Sequence, residues 1–259
     1  MDLQENRFLQ KLSRSSAQLG LWLTLTDPNV AEALAGTGFD WLLIDTEHAP
    51  NDVRSVLAQL RAIGSAGPAP VVRLLQADYS TMKQYLDIGV QTVLAPMIES
   101  AGQAQEMGRA MRYPPGGTRG MGAALARASK WGQVADYTRA ANAQMCFLAQ
   151  IESLQGVANL EAIAAVPELD GVLFGPADLA ASMGLIHDLG HPSVDEVILK
   201  SIAVVRRAGK AAGVIARDAA AAERYVQAGA NFISVGFDSR LLVAAAAELA
   251  RRHRAGLAG

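Results

Sequence analysis

The amino-acid sequence predicts a closed (β/α)8 TIM barrel, and three observations lead there. Short runs of strand character recur eight times along 259 residues, helical periodicity fills the intervals, and no block of the chain is all strand or all helix. Eight such units in roughly 250 residues is the size of a closed parallel barrel. An open doubly wound sheet is the competing architecture, but no Gly-x-Gly-x-x-Gly follows the first strand run, which removes the commonest reason to choose it. With 51% hydrophobic residues the chain can bury a full core, and residues 1–259 read as a single domain.

The strand runs are Leu19–Leu25, Trp41–Ile44, Ala69–Leu74, Thr92–Ala95, Met145–Ile151, Gly171–Phe174, Ala212–Ile215 and Phe232–Val235. Helix starts lie between them. Asp27-Pro28 sets an acceptor side chain before a first-turn proline, and Asn51-Asp52 opens an amphipathic stretch through Leu57, Leu60 and Ile63. Ser100 precedes another helix, and Ser193 begins one with Val194, Val197, Ile198, Ile202 and Val205 on one side. The last helix, Ser239 to about Arg254, shows a broad apolar face of Leu241, Leu242, Ala245 and Leu249. One long irregular stretch, Arg112 to about Lys130, is rich in Pro and Gly; a loop of that length in a compact domain is usually functional.

Composition excludes several classes of function. A formal net charge of −2 without a basic cluster argues against nucleic acid. The single cysteine, Cys146, allows no intramolecular disulfide and suits a reducing compartment. The N-terminus is polar and lacks the apolar core of a signal peptide, and the alanine-rich last helix is interrupted by Glu248, Arg251 and Arg252. The expectation is a cytoplasmic protein with no membrane partner.

In a parallel barrel the reactive groups sit where strands end. Asp45-Thr46-Glu47-His48 follows the second run, Arg73 ends the third, and Pro96-Met97-Ile98-Glu99 follows the fourth. Gln150-Ile151-Glu152 ends the fifth, and Gly175-Pro176-Ala177-Asp178 follows the sixth. Acid, imidazole and guanidinium groups thus converge on one rim, whereas the other receives mostly Gly, Pro and Ala. Taken singly, each residue also has a structural reading. His48 serves as a loop histidine, Asp178 caps the turn that follows it, and Arg73 pairs with Asp45 or Glu152. The joint occurrence favours an active site.

Carboxylates without a cysteine set or a histidine pair describe a hard cation such as Mg2+ or Mn2+, with positions open for a chelating substrate. Such an ion polarises a carbonyl, an arginine stabilises an enolate oxygen, and a histidine moves protons near neutral pH. That set fits enolate chemistry beside a 2-oxo acid. A Schiff-base aldolase needs a desolvated lysine. The five lysines, Lys11, Lys83, Lys130, Lys200 and Lys210, fall on the N-terminus, on helices, at the end of the long loop or at the wrong rim.

At these residues the chain resembles the metal-dependent 4-hydroxy-2-oxoheptane-1,7-dioate aldolases and the related 2-dehydro-3-deoxyglucarate aldolases. The resemblance lies in Phe39 to Pro50, Arg112 to Gly120, Leu125 to Ser129, Gln150 to Ser153 and Gly175 to Leu179. Thr46 stands where the family often has Gly, a departure that bears on substrate fit. The resemblance implies a class II pyruvate aldolase acting on 4-hydroxy-2-oxo acids. It implies a divalent ion (Mg2+, Mn2+ or Co2+) on Glu152 and Asp178, and Arg73 at the C2 oxygen. It further implies His48 as the base oriented by Asp87, and Gln150, Asp45 and the Ala177-Asp178 backbone around the substrate. Small molecules are the expected partners, and the family's hexamers pair trimers with the last helix exchanged between subunits. Two other readings remain open, an acyl-coenzyme A lyase of the malyl or citryl type on the same barrel and a non-catalytic barrel.

Overall fold

A computed structural model of the chain describes residues 1–12, 16–65 and 67–257. Eight parallel strands close into one barrel in sequence order. They are β1 (Gln18–Leu23), β2 (Trp41–Asp45), β3 (Ala69–Arg73), β4 (Thr92–Ala95), β5 (Cys146–Ile151), β6 (Gly171–Phe174), β7 (Ala211–Ile215) and β8 (Phe232–Phe237). Every strand run read from the sequence is a strand, with ends displaced by no more than two residues. The helices of the first half are α1 (Arg7–Leu12), α2 (Pro28–Ala35), α3 (Val53–Ile63), α4 (Tyr79–Asp87), α5 (Ala101–Ala110) and α6 (Tyr137–Ala140). Those of the second half are α7 (Leu154–Ala158), α8 (Leu160–Ala164), α9 (Pro176–Ser182), α10 (Pro192–Arg207), α11 (Ala219–Gln227) and α12 (Asp238–Leu257).

The helix starts follow from side chains that replace missing backbone partners. Asp27 accepts from Asn29 N, and Asp52 and Ser100 form reciprocal capping boxes with Ser55 and Gln103. The start expected at Ser193 lies slightly earlier: Pro192 occupies the first turn, and the His191 ring accepts from Ser193 N. Asp178 does not cap α9. Gly175 holds the cap position and Asp178 sits in the first turn.

Alternation along each strand divides the apolar residues into two cores. Outward residues such as Leu42, Val72, Phe147 and Val214 pack beneath the helices. Inward residues Trp22, Trp41, Leu43, Val71, Leu94, Leu148, Leu173 and Phe232 fill the barrel. Gly20 and Gly213 make room for the large rings, since a Cβ there would meet Trp41 at 2.0 Å and Phe232 at 2.1 Å. The lower end is closed by α1, whose Phe8 stacks edge-on against Trp41 at 5.9 Å and Phe232 at 5.5 Å.

One expectation needs correction. The lower rim is not mainly Gly, Pro and Ala: it carries Lys11–Asp40 at 2.7 Å, Arg112–Asp170 at 3.5 Å, and Lys210 bonded to Leu169 O at 2.7 Å. The long loop joins the end of α5 to the start of β5, which places it at this lower rim, with Tyr113, Val134 and Tyr137 forming a small core of its own. Any part it plays in the chemistry is therefore not played at the upper rim of its own barrel.

Candidate active site

The upper rim holds a cavity of about 570 Å3 lined by His48, Arg73, Gln150, the Gly175–Asp178 turn and the first residues of α12. Period-two alternation explains its floor. Arg73 is the last inward residue of β3 and lies beside Asp45 of β2 in the parallel register. Cys146, Leu148 and Gln150 share the inner face of β5, and Glu152 extends that series past the strand end.

Arg73 is 4% exposed and fixed on three sides. Its Nε and Nη2 donate to the two Asp45 oxygens at 2.8 and 2.7 Å, a bidentate fork, and its carbon Cζ sits 4.4 Å over the Trp22 ring. Nη1 lies 2.7 Å from Glu47 Oε2, an ion pair without hydrogen-bond alignment. The ion-pair reading of Arg73 thus holds for Asp45 and not for Glu152. Asp45 was expected around the substrate, yet both of its oxygens are taken by Arg73, and Oδ1 also accepts from Glu47 N at 3.0 Å. It positions the guanidinium.

Glu152 is 3% exposed. Its Oε1 accepts from Met97 N at 2.9 Å, and its Oε2 from Gln150 Nε2. Met97 reaches it from a left-handed backbone conformation (φ 51°), unusual for a side chain of that size. Gly175 is needed on the other side, because a Cβ there would lie 2.7 Å from Glu152 Oε2. Burial pushes the Glu152 carboxyl above the usual range, and the charges of Asp178 and Glu47 push it further. Glu47 is raised too, first by burial, with Arg73 and His48 opposing and Asp45 and Asp178 adding.

Glu47, Glu152 and Asp178 thus feel one another's charge, and neither Glu152 nor Asp178 has an ion-pair partner among the described residues. An all-oxygen donor set with uncompensated negative charge fits a hard divalent cation. No group of three or more His, Cys, Asp or Glu side chains is arranged to hold a metal among the described residues. The Gln150 Oε1 atom is buried without a partner, as expected of a group that awaits a ligand.

His48 stands exposed on the cavity wall and makes no hydrogen bond among the described residues. Asp87, expected to orient it, is not brought there. It ends α4 at the lower rim and binds Arg119 Nη2 at 3.1 Å. Ala177 and Asp178 line the cavity from the start of α9. No lysine lines it among the described residues, so the Schiff-base rival fails on position. Sequence reading gave no role to Glu47, Trp22, Arg217 or Arg240, all of which border this space or its arginine. The spacing of Glu47 two residues after Asp45 was the available signal for the first of these.

The chain matches the HpcH/HpaI aldolase/citrate lyase family over residues 18–245. It is 53% identical over 256 residues to a hydroxypyruvate/pyruvate aldolase of Pseudomonas aeruginosa, covering 99% of this chain and 96% of that protein. It is 49% identical over 248 residues to a 4-hydroxy-2-oxo-heptane-1,7-dioate aldolase of Escherichia coli, covering 96% and 95%. Among solved structures, an HpcH/HpaI aldolase/citrate lyase family protein from Burkholderia cenocepacia J2315 superposes with a TM-score of 0.92 at 41% identity, covering 96% and 99%.

Proposed function

The chain belongs to the HpcH/HpaI aldolase/citrate lyase family and is a carbon–carbon lyase, and from that premise we propose how its upper cavity works. The reaction is the reversible retro-aldol cleavage of a 4-hydroxy-2-oxo acid to pyruvate, or hydroxypyruvate, and an aldehyde. The observation that carries this reading is the locked guanidinium of Arg73 beside the uncompensated carboxylates Glu152 and Asp178. Glu152 and Asp178 would hold a divalent ion (Mg2+, Mn2+ or Co2+), which supplies Lewis-acid polarisation of the C2 carbonyl and a chelating seat for the carboxylate.

The chain's own groups do the rest. Arginine has five N–H groups. Those of Arg73 not directed at Asp45 and Glu47 face the C2 oxygen, where negative charge grows as the C3–C4 bond breaks. His48 takes the proton of the C4 hydroxyl, directly or through water, as the aldehyde leaves, and a proton returned to C3 of the enolate, from water or the imidazolium, completes pyruvate. Gln150 and the Ala177-Asp178 turn hold the pyruvate unit. Ile215, Phe237 and Leu241 wall the space beyond, with Arg217 and Arg240 at its mouth, which suits an aldehyde with an apolar stem and an anionic end. A malyl- or citryl-type thioester lyase needs a large basic groove for the nucleotide, and beyond the floor only Arg217 and Arg240 supply positive charge among the described lining residues.

We also assign the chain to a homo-oligomer, a hexamer by family resemblance, in the cytoplasm. No described helix is long and apolar enough to cross a membrane. The deciding experiment measures pyruvate release from a panel of 4-hydroxy-2-oxo acids before and after chelation. EDTA should abolish turnover, and Mg2+, Mn2+ or Co2+ should restore it. Full activity after rigorous chelation would remove the metal from this account, and thioester cleavage without aldehyde release would replace the reaction.

A further inference from the structure

The lower rim carries a second cavity, of about 230 Å3, on the opposite side of the barrel from the reaction. Four cationic side chains line it, Arg7, Arg61, Arg127 and Lys130, against one carboxylate, Glu5. One oxygen of Glu5 is already taken by Gln10 Nε2 at 2.9 Å. Neither Arg7, Arg61 nor Lys130 has an ion-pair partner among the described residues. The Nη2 group of Arg7 is buried and donates to nothing among the described residues. A buried charged donor left unmatched is costly, and like charges gathered at one cavity add repulsion.

Arg127 is the best-fixed member. Its Nη1 donates to Ile88 O at 2.6 Å, an arrangement that depends on Gly89, where a Cβ would lie 2.8 Å from that nitrogen and φ is +103°. Burial holds the Arg127 guanidinium below its usual range, and the charge of Arg61 acts the same way, so the two are close enough to feel each other. The remaining Arg127 N–H groups are available to a ligand.

We infer that this cavity is an anion site for a small phosphate-bearing molecule, held by Arg7, Arg61, Arg127 and Lys130. Guanidinium forks match phosphate oxygens in pairs, and a phosphate monoester brings a charge of about −1.5 to −2 at neutral pH. The volume lies below the roughly 300–1,000 Å3 of sites for drug-sized ligands, which favours a compact ligand. An occupant at the lower rim would tie α1, the end of α3 and the long loop together, and would raise stability in proportion to its occupancy.

The test is thermal unfolding against inorganic phosphate at constant ionic strength, for the wild type, Arg61→Gln and Arg73→Gln. Arg73→Gln removes the buried cation on the floor of the upper cavity, and the readout needs no aldolase activity, so the result stands apart from the proposed reaction. A saturable rise in melting temperature is expected in the wild type and in Arg73→Gln. Arg61, exposed and free of structural bonds among the described residues, can be changed without unfolding the barrel. Its Gln variant should need about ten-fold more phosphate, as for loss of one charge-assisted hydrogen bond. No saturable rise, or a midpoint unmoved in Arg61→Gln, would overturn the inference; a rise lost only in Arg73→Gln would place phosphate in the upper cavity instead.

Discussion

His48 differs from Arg73 and Glu152 in having nothing to hold. Arg73 is tied to Asp45 and Glu47, and Glu152 to Met97 and Gln150, whereas the imidazole is exposed and without a hydrogen bond among the described residues. Removing it should disturb chemistry and leave the cavity intact. His48→Ala is expected to bind metal and pyruvate nearly as before but to cleave substrate more slowly by roughly 10²–10⁴. Glu152→Ala, by contrast, removes one of two carboxylates, so metal affinity and turnover should fall together. Solvent exchange of the pyruvate methyl protons separates the steps: exchange kept while cleavage is lost assigns His48 to the C4 hydroxyl alone. Near wild-type cleavage in His48→Ala would leave it a loop histidine. At this scale the sequence was legible wherever strand alternation applied, as at Arg73 and Gln150. It was not legible for Asp45, whose carboxylate could face substrate or arginine with the same alternation, nor for Asp87, whose rim depends on where α4 ends.

Among the elements, β5, β6 and α9 meet at Gly175, and α1 closes the barrel at the other end. Gly175 lets the backbone pass close to Glu152 and Gln150. Gly175→Ala forces a Cβ to 2.7 Å from Glu152 Oε2, so that carboxylate must move. Isothermal titration should then show weakened metal binding with the fold retained, and unchanged affinity would mean the turn relaxes instead. Phe8 makes α1 a plug, fully buried between Trp41 and Phe232. Phe8→Ala should cost about 3–5 kcal/mol in denaturant unfolding, typical of a large aromatic removed from a core. A loss below about 1 kcal/mol would show that α1 can collapse into the space. The plug was not legible in the sequence because the N-terminal segment reads as polar and charged; Phe8 and Leu12 find an apolar partner only once the barrel has closed beneath them. The strands themselves were legible, since each is a short apolar run bounded by breakers. The start of α10 was misplaced because a histidine, rather than the neighbouring serine, caps it.

At the scale of the whole molecule, α12 is the part that one chain leaves unfinished. Asp238 anchors its start by accepting from Thr24 N at 2.8 Å and Leu25 N at 3.1 Å, at the upper end of β1. Beyond that anchor the helix stands away from the barrel. Leu241, Leu242, Val243 and Leu249 are 50%, 59%, 67% and 59% exposed, where an ordinary barrel helix would bury them. The sequence showed this apolar face but not its fate, because a helix packed on its own barrel and one packed on a neighbour carry the same pattern. The barrel also carries a groove of about 370 Å3 beside β1 and α11, lined in part by Leu19, Val226 and Ile233, with Leu19 42% and Val226 41% exposed. Burying each large side chain of α12 in another subunit is worth about 1.5–3 kcal/mol, enough in sum to favour association strongly. Light scattering should therefore give a mass that is a multiple of the 27.2 kDa chain, six-fold if the family assembly holds. Val243→Asp with Leu249→Asp, neither of which lines the cavity, should shift the particle to smaller species. A monomeric wild type at micromolar concentration would refute the assembly. A variant with unchanged mass would show that subunits join by another surface, most plainly the long loop, where Met121, Leu125 and Trp131 are 72%, 85% and 58% exposed.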